Sequence, residues 1–290
     1  MPHIYTRNFR VRYYECDAHG HLNNANYLRY MQETAFDASA AVGYDHARYD
    51  EIGHHWLIRE TQIEFNNPAR YNECIQVKTW IADFRRVSSR RVYEFTNSET
   101  GLAVAKAYTD WVYLDTESGL PTSIPASMVD AFYPEGIPEN FPGRNRFASQ
   151  PQPPKKMYSI QKQVGWLEID QLLHVNNAIY LDYVTECGME VIKAFGWAWE
   201  RMIDAGFVIF LRQLHIQYVQ QAHLGDEIVV DTWAGNIRRS TATRYYRIRR
   251  KDNDEILAKI NTDGVWVDLS TYHPIRIPAD FLADFSENIV

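Results

Sequence analysis

The spacing of apolar residues changes period along the chain, and each change predicts an element. Phe9-Arg10-Val11-Arg12-Tyr13-Tyr14 alternates with the two-residue period of a half-buried strand. From residue 24 to about 41 the period lengthens: Leu28, Met31, Ala35 and Ala38 recur at helical spacing, while Arg29, Gln32, Glu33 and Asp37 face elsewhere. That predicts one helix with a buried stripe, ended at Gly43. Runs rich in Val, Ile, Tyr, Trp and Thr follow at 56–65, 73–82, 90–97 and 102–114, four predicted strands, with Ser98-Glu99-Thr100-Gly101 as a hairpin turn.

The order then repeats: a strand at 160–168, a helix at 177–195, and strands near 208–218, 227–234, 243–250 and 256–269. Asp17 maps to Asp170, 153 residues on (170 − 17), and one offset also carries His21 to His174, Tyr27 to Tyr180, Arg59 to Arg212, Trp80 to Trp233 and Phe132 to Phe285. Chance does not hold one register over more than a hundred positions, so the chain is a tandem duplication with too long a period for a solenoid. The expected units are 1–132 and 158–290. Between them, 133–157 carries Pro134, Pro138, Pro142, Pro151, Pro153 and Pro154 and reads as a partly extended linker. One helix among five strands per unit predicts an α+β fold, a helix packed on one face of an antiparallel sheet.

Composition narrows the function. The 46% hydrophobic and 23% charged content is that of a globular chain. A net charge of −7 argues against a nucleic-acid partner. No apolar run approaches the ~18 residues of a membrane span, and no signal pattern opens the sequence. Three cysteines, Cys16, Cys74 and Cys187, are odd in number and lack ligand spacing, so free thiols and a cytoplasmic setting are expected. No phosphate-binding glycine loop, nucleophile elbow or metal motif is present, and no metal or cofactor is expected.

The candidate chemistry lies in Asp17-Ala18-His19-Gly20-His21-Leu22-Asn23-Asn24. Asn23 or Asn24 can cap the helix, which sets Asp17 just ahead of a helix N-terminus, where free N–H groups and the positive dipole end gather. Such a place can hold a carbonyl oxygen and present a carboxylate to it. The second copy is Asp170-Gln171-Leu172-Leu173-His174-Val175-Asn176-Asn177.

These residues resemble the Asp-x-x-Gly-His-x-Asn-Asn-x-x-Tyr signature of the hotdog-fold acyl thioesterases, completed here by Tyr27, and nearly the whole chain takes part, twice. The tandem arrangement is similar to the plant acyl-carrier-protein thioesterases, and single units resemble 4-hydroxybenzoyl-CoA thioesterases. The resemblance implies a double hotdog with a continuous sheet, sites at the helix N-terminus in the groove between units, and an acyl-CoA or acyl-carrier-protein substrate. A homo-oligomer of such chains is left open. In the plant enzymes an Asn stands two positions before the His; here His19 and Leu172 occupy that position. Asp17 is therefore the expected working carboxylate, as general base or as nucleophile, with Asp170 at a weaker or vestigial site.

Backbone N–H groups from His21 to Asn24 are the expected oxyanion donors. His21 and His174 either orient the carboxylate or a water, or are turn histidines bonded to backbone. Asn23 and Asn24 set the helix start; His19 and Arg59 are candidate substrate contacts. Arg85, Arg86 and Arg90 either lie on solvated surface or meet phosphates of coenzyme A or a carrier arm. Cys16 has no counterpart and is rejected as a nucleophile. A non-catalytic acyl-binding module is the alternative function. A hotdog hydratase is disfavoured, since those resemble an Asp and His set wider apart with a Pro between.

Overall fold

The computed structural model describes residues 1–138 and 143–290. Pro142 and the three residues before it, part of the expected linker, lie outside them. The chain forms two compact units, Met1–Arg146 and Phe147–Val290.

In unit 1, β1 (Tyr5–Arg10), β2 (His54–Phe65), β3 (Cys74–Phe84), β4 (Ser88–Asn97) and β5 (Ala103–Asp115) form an antiparallel sheet in the order β1-β3-β4-β5-β2. Helix α1 (Asn24–Ala40) lies on β1 and β3. Its buried residues include Tyr27, Leu28, Met31, Thr34, Ala35 and Ala38, spaced three or four apart around a stripe that removes them from water. Gly43, at φ +87°, turns the chain away after the helix, with its N–H on the Ala40 carbonyl. Helices α2 (His46–Ile52) and α3 (Ala126–Phe132) have no counterpart in the sequence reading; α3 joins Phe132 and Met128 to a core with Ile81, Phe84 and Tyr113.

Unit 2 has the same elements in the same order. Strands β6 (Tyr158–Gln163), β7 (Phe207–Tyr218), β8 (Glu227–Gly235), β9 (Thr241–Arg250) and β10 (Ile256–Asp268) are arranged β6-β8-β9-β10-β7, with α4 (Ile179–Ala194) on β6 and β8. Two short helices, α5 (Trp199–Asp204) and α6 (Ala279–Asp284), close a core around Trp197, Phe207 and Phe281.

The first strand of each unit starts and ends earlier than expected. In unit 1, Phe9 is the fifth residue of β1, and Tyr13–Glu15 form a 3-10 turn that leaves Tyr13 and Tyr14 exposed; Trp166–Glu168 do the same in unit 2. The alternation read across 9–14 belongs to a strand and a turn. The Pro-rich stretch is docked where it is described: Arg144 pairs with Asp83, and Gln150 donates to the Tyr246 and Ile260 carbonyls at 2.9 and 3.1 Å.

Candidate active site

The loop between the 3-10 turn and α1 is built on Glu15. This carboxylate is 7% exposed and accepts the Arg12 N–H at 2.8 Å and the Tyr30 hydroxyl at 2.7 Å. Its carbonyl accepts the Asn23 N–H at 2.8 Å and the Asn26 side-chain amide at 2.9 Å. A buried carboxylate needs such donors, and here they come from both sides of the loop, pinning it to the helix one turn in. Beyond Glu15 the chain closes a tight turn: Asp17 N–H donates to the His21 carbonyl at 2.8 Å, and Gly20 N–H to the Asp17 carbonyl at 2.9 Å. Gly20 sits at φ +75°, where a side chain would be strained.

Within that turn the Asp17 carboxylate is held by one oxygen. Oδ1 accepts the His19 N–H at 2.9 Å and the His21 N–H at 3.1 Å. Among the described residues no hydrogen bond reaches Oδ2. Asn23 is the N-cap of α1, its Oδ1 accepting the Ala25 N–H at 2.9 Å. Of the four amides expected as oxyanion donors, three are already engaged: His21 by Asp17, Leu22 by the Ala69 carbonyl, and Asn23 by Glu15. The Asn24 N–H, first of the helix, makes no hydrogen bond among the described residues, and the positive end of the helix dipole lies there. Burial pushes both imidazoles below their ordinary pKa, that of His21 further aided by Arg70, against the opposing pull of Asp17. Both rings are therefore neutral near pH 7, their centroids 6.1 Å apart.

Unit 2 repeats the backbone with other side chains. Asp170 N–H meets the His174 carbonyl at 3.0 Å, Leu173 N–H meets the Asp170 carbonyl at 2.9 Å, and Asn176 N–H meets the Glu168 carbonyl at 2.9 Å. Asp170 Oδ1 accepts from Leu172 N–H, and its Oδ2 lies 3.4 Å from the Asn176 amide nitrogen. His174 Nδ1 is 3.8 Å from Asp170 Oδ1, and its buried Nε2 has no partner among the described residues. Leu172 and Leu173 are exposed in this loop.

The arginines separate. Arg90 is buried, and its fork is taken by Asp110 at 2.7 and 2.8 Å, so it has no face to offer a phosphate. Arg85 and Arg86 are exposed in the β3–β4 turn. The Asp17 loop adjoins the other end of β3, eleven residues and roughly 35 Å away, so within unit 1 the structure does not bring them together. Arg59 is exposed at a bulge in β2, where the register with β5 shifts between Ile58 and Glu60. Bulges re-aim side chains, and Arg212 sits at the matching bulge of β7. The residues missed were Glu15 with Tyr30 and Glu168 with Tyr183. Both pairs recur at the repeat offset, which was the signal that could have found them.

Two family models match in succession, the acyl-ACP thioesterase N-terminal domain over residues 2–132 and the thioesterase-like superfamily over 164–285. The chain belongs to the hotdog-fold acyl thioesterase family. The solved structures agree on a double hotdog. A putative oleoyl thioesterase from Lactobacillus plantarum aligns with a TM-score of 0.77 at 16% identity, over 91% of this chain and 96% of that one. The 12:0-ACP thioesterase from Umbellularia californica aligns at 0.74 and 15%, over 91% and 94%. Likeness at such identity speaks for the fold. Among curated relatives, the chloroplastic acyl-[acyl-carrier-protein] hydrolase FATB2 of Cuphea viscosissima is 23% identical over 63% of this chain and 47% of its own length. The putative acyl-CoA thioesterase YneP of Bacillus subtilis is 26% identical over 44% of this chain and 92% of its own. The chain spans about half the length of the plant relatives it matches.

Proposed function

We propose that this chain hydrolyses acyl thioesters, acyl-carrier protein being the favoured carrier, with Asp17 as the reacting carboxylate. One observation carries the reading: Asp17, in the loop that leads into α1, has one oxygen fixed by two backbone N–H groups and the other without a hydrogen bond among the described residues. Fixing Oδ1 aims Oδ2, which takes a proton from an attacking water or itself attacks the thioester carbonyl and forms a mixed anhydride that water then opens. In either course the carbonyl oxygen gains negative charge, which the Asn24 N–H and the helix dipole stabilise, and the thiolate leaves. Neutral His21, bonded to Asp17 through its backbone, positions that carboxylate. Asn23 sets the helix start by capping.

Carrier protein is favoured over coenzyme A because the N-terminal family model and the Cuphea relative bear that substrate in their names. The fork of Arg90 is spent on Asp110, which removes it as a phosphate clamp for either carrier. Thiol release from a panel of acyl-carrier-protein and acyl-CoA thioesters, by the chain and by Asp17→Asn, tests the proposal. Asp17→Asn that stays folded should lose about 10²-fold, the contribution of a general base. Binding with no thiol release from any of them would leave an acyl-binding module instead.

A further inference from the structure

The interior of unit 1 holds a positive charge that no carboxylate among the described residues pairs with. Arg91 is 6% exposed, yet among the described residues it makes no hydrogen bond and no ion pair. Its guanidinium lies 5.5 Å from the Phe132 ring, and the groups that act on its charge are the hydroxyls of Tyr93 and Tyr49, with no carboxylate among them. The Tyr49 hydroxyl is occupied by Ser39 and Trp56. The neighbouring positions across the sheet are polar and also unsatisfied: Arg91 pairs in register with Thr109, and Thr109 with Thr61. Among the described residues Thr61 Oγ1, Thr109 Oγ1, Tyr93 Oη and Trp111 Nε1 are buried with no hydrogen bond of ordinary geometry, and the Thr109 hydroxyl and Trp111 N–H stand at the Tyr93 hydroxyl as its weak polar neighbours.

Unit 2 shows what this interior looks like when it is settled. Arg244, the counterpart of Arg91, donates to Asn288 at 3.1 Å, and Thr262, the counterpart of Thr109, donates to the Arg244 carbonyl at 3.1 Å. Leu214 and Gly264 stand where unit 1 has Thr61 and Trp111. A guanidinium and an indole N–H can only donate, and the hydroxyls are free to donate, so the missing partner is rich in acceptors. A carboxylate suits an unpaired guanidinium best.

We infer that Arg91, with Tyr93, Thr61, Thr109 and Trp111, receives a carboxylate at the far end of the acyl chain, so that the substrates include thioesters of α,ω-dicarboxylic acids. This rests on the thioesterase reading for where the other end of the chain lies. The geometry sets the scale: α1 starts at the Asp17 loop, and Ser39, in its last turn, is hydrogen-bonded at 2.9 Å to the hydroxyl of Tyr49, which acts on the charge of Arg91. Seventeen residues of helix span about 25 Å, the reach of a long extended acyl chain.

Calorimetric binding of free long-chain α,ω-dicarboxylic acids to the full chain, against monocarboxylic acids of matched length, tests this without turnover. The dicarboxylates should bind about tenfold or more tightly, the size of a charge-assisted hydrogen bond to a buried partner. Arg91→Met should abolish the preference and keep monocarboxylate affinity. If that variant does not fold, Thr61→Val with Thr109→Val should reduce the preference severalfold. Equal affinities in the parent chain, or a preference that survives these changes, would overturn the inference and leave the interior to water. Thiol release is scored separately, so failure of the hydrolase reading and failure of this one are told apart.

Discussion

Units 1 and 2 close the same loop with different chemistry. The backbone bonds that shape the Asp17 turn recur around Asp170 one for one, while Gly20 becomes Leu173 and His19 becomes Leu172. The carboxylate that anchors each loop is retained, Glu15 with Tyr30 and Glu168 with Tyr183. Loop shape is thus set by main-chain bonds and one buried anchor, which frees the remaining side chains to diverge. The sheets diverge in the same sense. Unit 1 buries an ion network, Arg90 and Arg144 with Asp110 and Asp83, where unit 2 has Thr243 donating to Asp263 at 2.7 Å. At these positions the charge lies in unit 1; unit 2 carries a buried ion pair elsewhere, Asp231 of β8 with Arg249 of β9 at 2.9 Å.

The sharpest way to break that contrast is through the ion network. Arg90→Met leaves Asp110 and Asp83 buried with Arg144 alone, and losing one partner of a buried pair costs about 3–5 kcal/mol. Thr243→Val, at the matching position, removes one hydroxyl donor to the Asp263 carboxylate and should cost about 1.5–3 kcal/mol. Urea denaturation followed by tryptophan fluorescence reads both. Equal losses would show that the two sheets are held alike in spite of their different pairs.

Next in size is the contrast between the carboxylates. Asp17→Asn should lower thiol release about 10²-fold, equivalent to about 2.7 kcal/mol, and Asp170→Asn, whose Oδ2 is already near an amide and whose loop carries exposed leucines, should lower it severalfold at most. If Asp170→Asn is the more damaging, the working site belongs to unit 2 and the comparison is reversed.

Much of this contrast was legible in the chain, and the illegible part has a common cause. The Asn-Asn pair and the helical period after it located the loop and placed the cap of α1 at Asn23 or Asn24, of which Asn23 serves, because capping and amphipathic spacing are local signals. Helices α2, α3, α5 and α6 run six or seven residues, under two turns, too short for a period to emerge. Arg90 read as either solvated surface or a phosphate contact because its partner, Asp110, arrives from the next strand, and strand register is absent from local pattern. The oxyanion donors were read too broadly for a similar reason: the carbonyl that takes the Leu22 N–H belongs to Ala69, far along the chain. Arg91 follows Arg90 on the same strand, and no local pattern tells that only Arg90 meets a carboxylate.

The anchoring carboxylates allow a test by pH. Burial opposes ionisation of Glu168, but the Gly165 N–H, the Tyr183 hydroxyl and Lys162 outweigh it and hold its pKa below the usual 4.5. A folded-state value below the unfolded one means the contribution is complete above pH 4.5 and fades as pH falls through the folded value. Glu168→Gln should therefore cost about 2 kcal/mol at pH 7, the scale of charge-assisted bonds, and progressively less in acid. A cost that does not change between neutral and acid conditions would mean the ionised form is not what anchors the loop.

The smallest effect bears on the loop itself. Leu173 sits at φ +62°, the left-handed conformation that Gly20 adopts at φ +75° in unit 1, and a side chain there costs about 1–2 kcal/mol. Its side chain is 67% exposed, so little burial repays the strain. Leu173→Gly removes the clash of the Cβ but gives the unfolded chain more freedom, which returns about 0.5–1 kcal/mol. The net should be a stabilisation of about 0.5–1 kcal/mol, a rise in Tm of roughly 1–4 °C, with Gly20→Leu shifting unit 1 the opposite way. Should Leu173→Gly instead lower the Tm, the leucine makes a contact in the folded protein that outweighs the strain of its backbone, and the two loops differ in packing as well as in backbone cost.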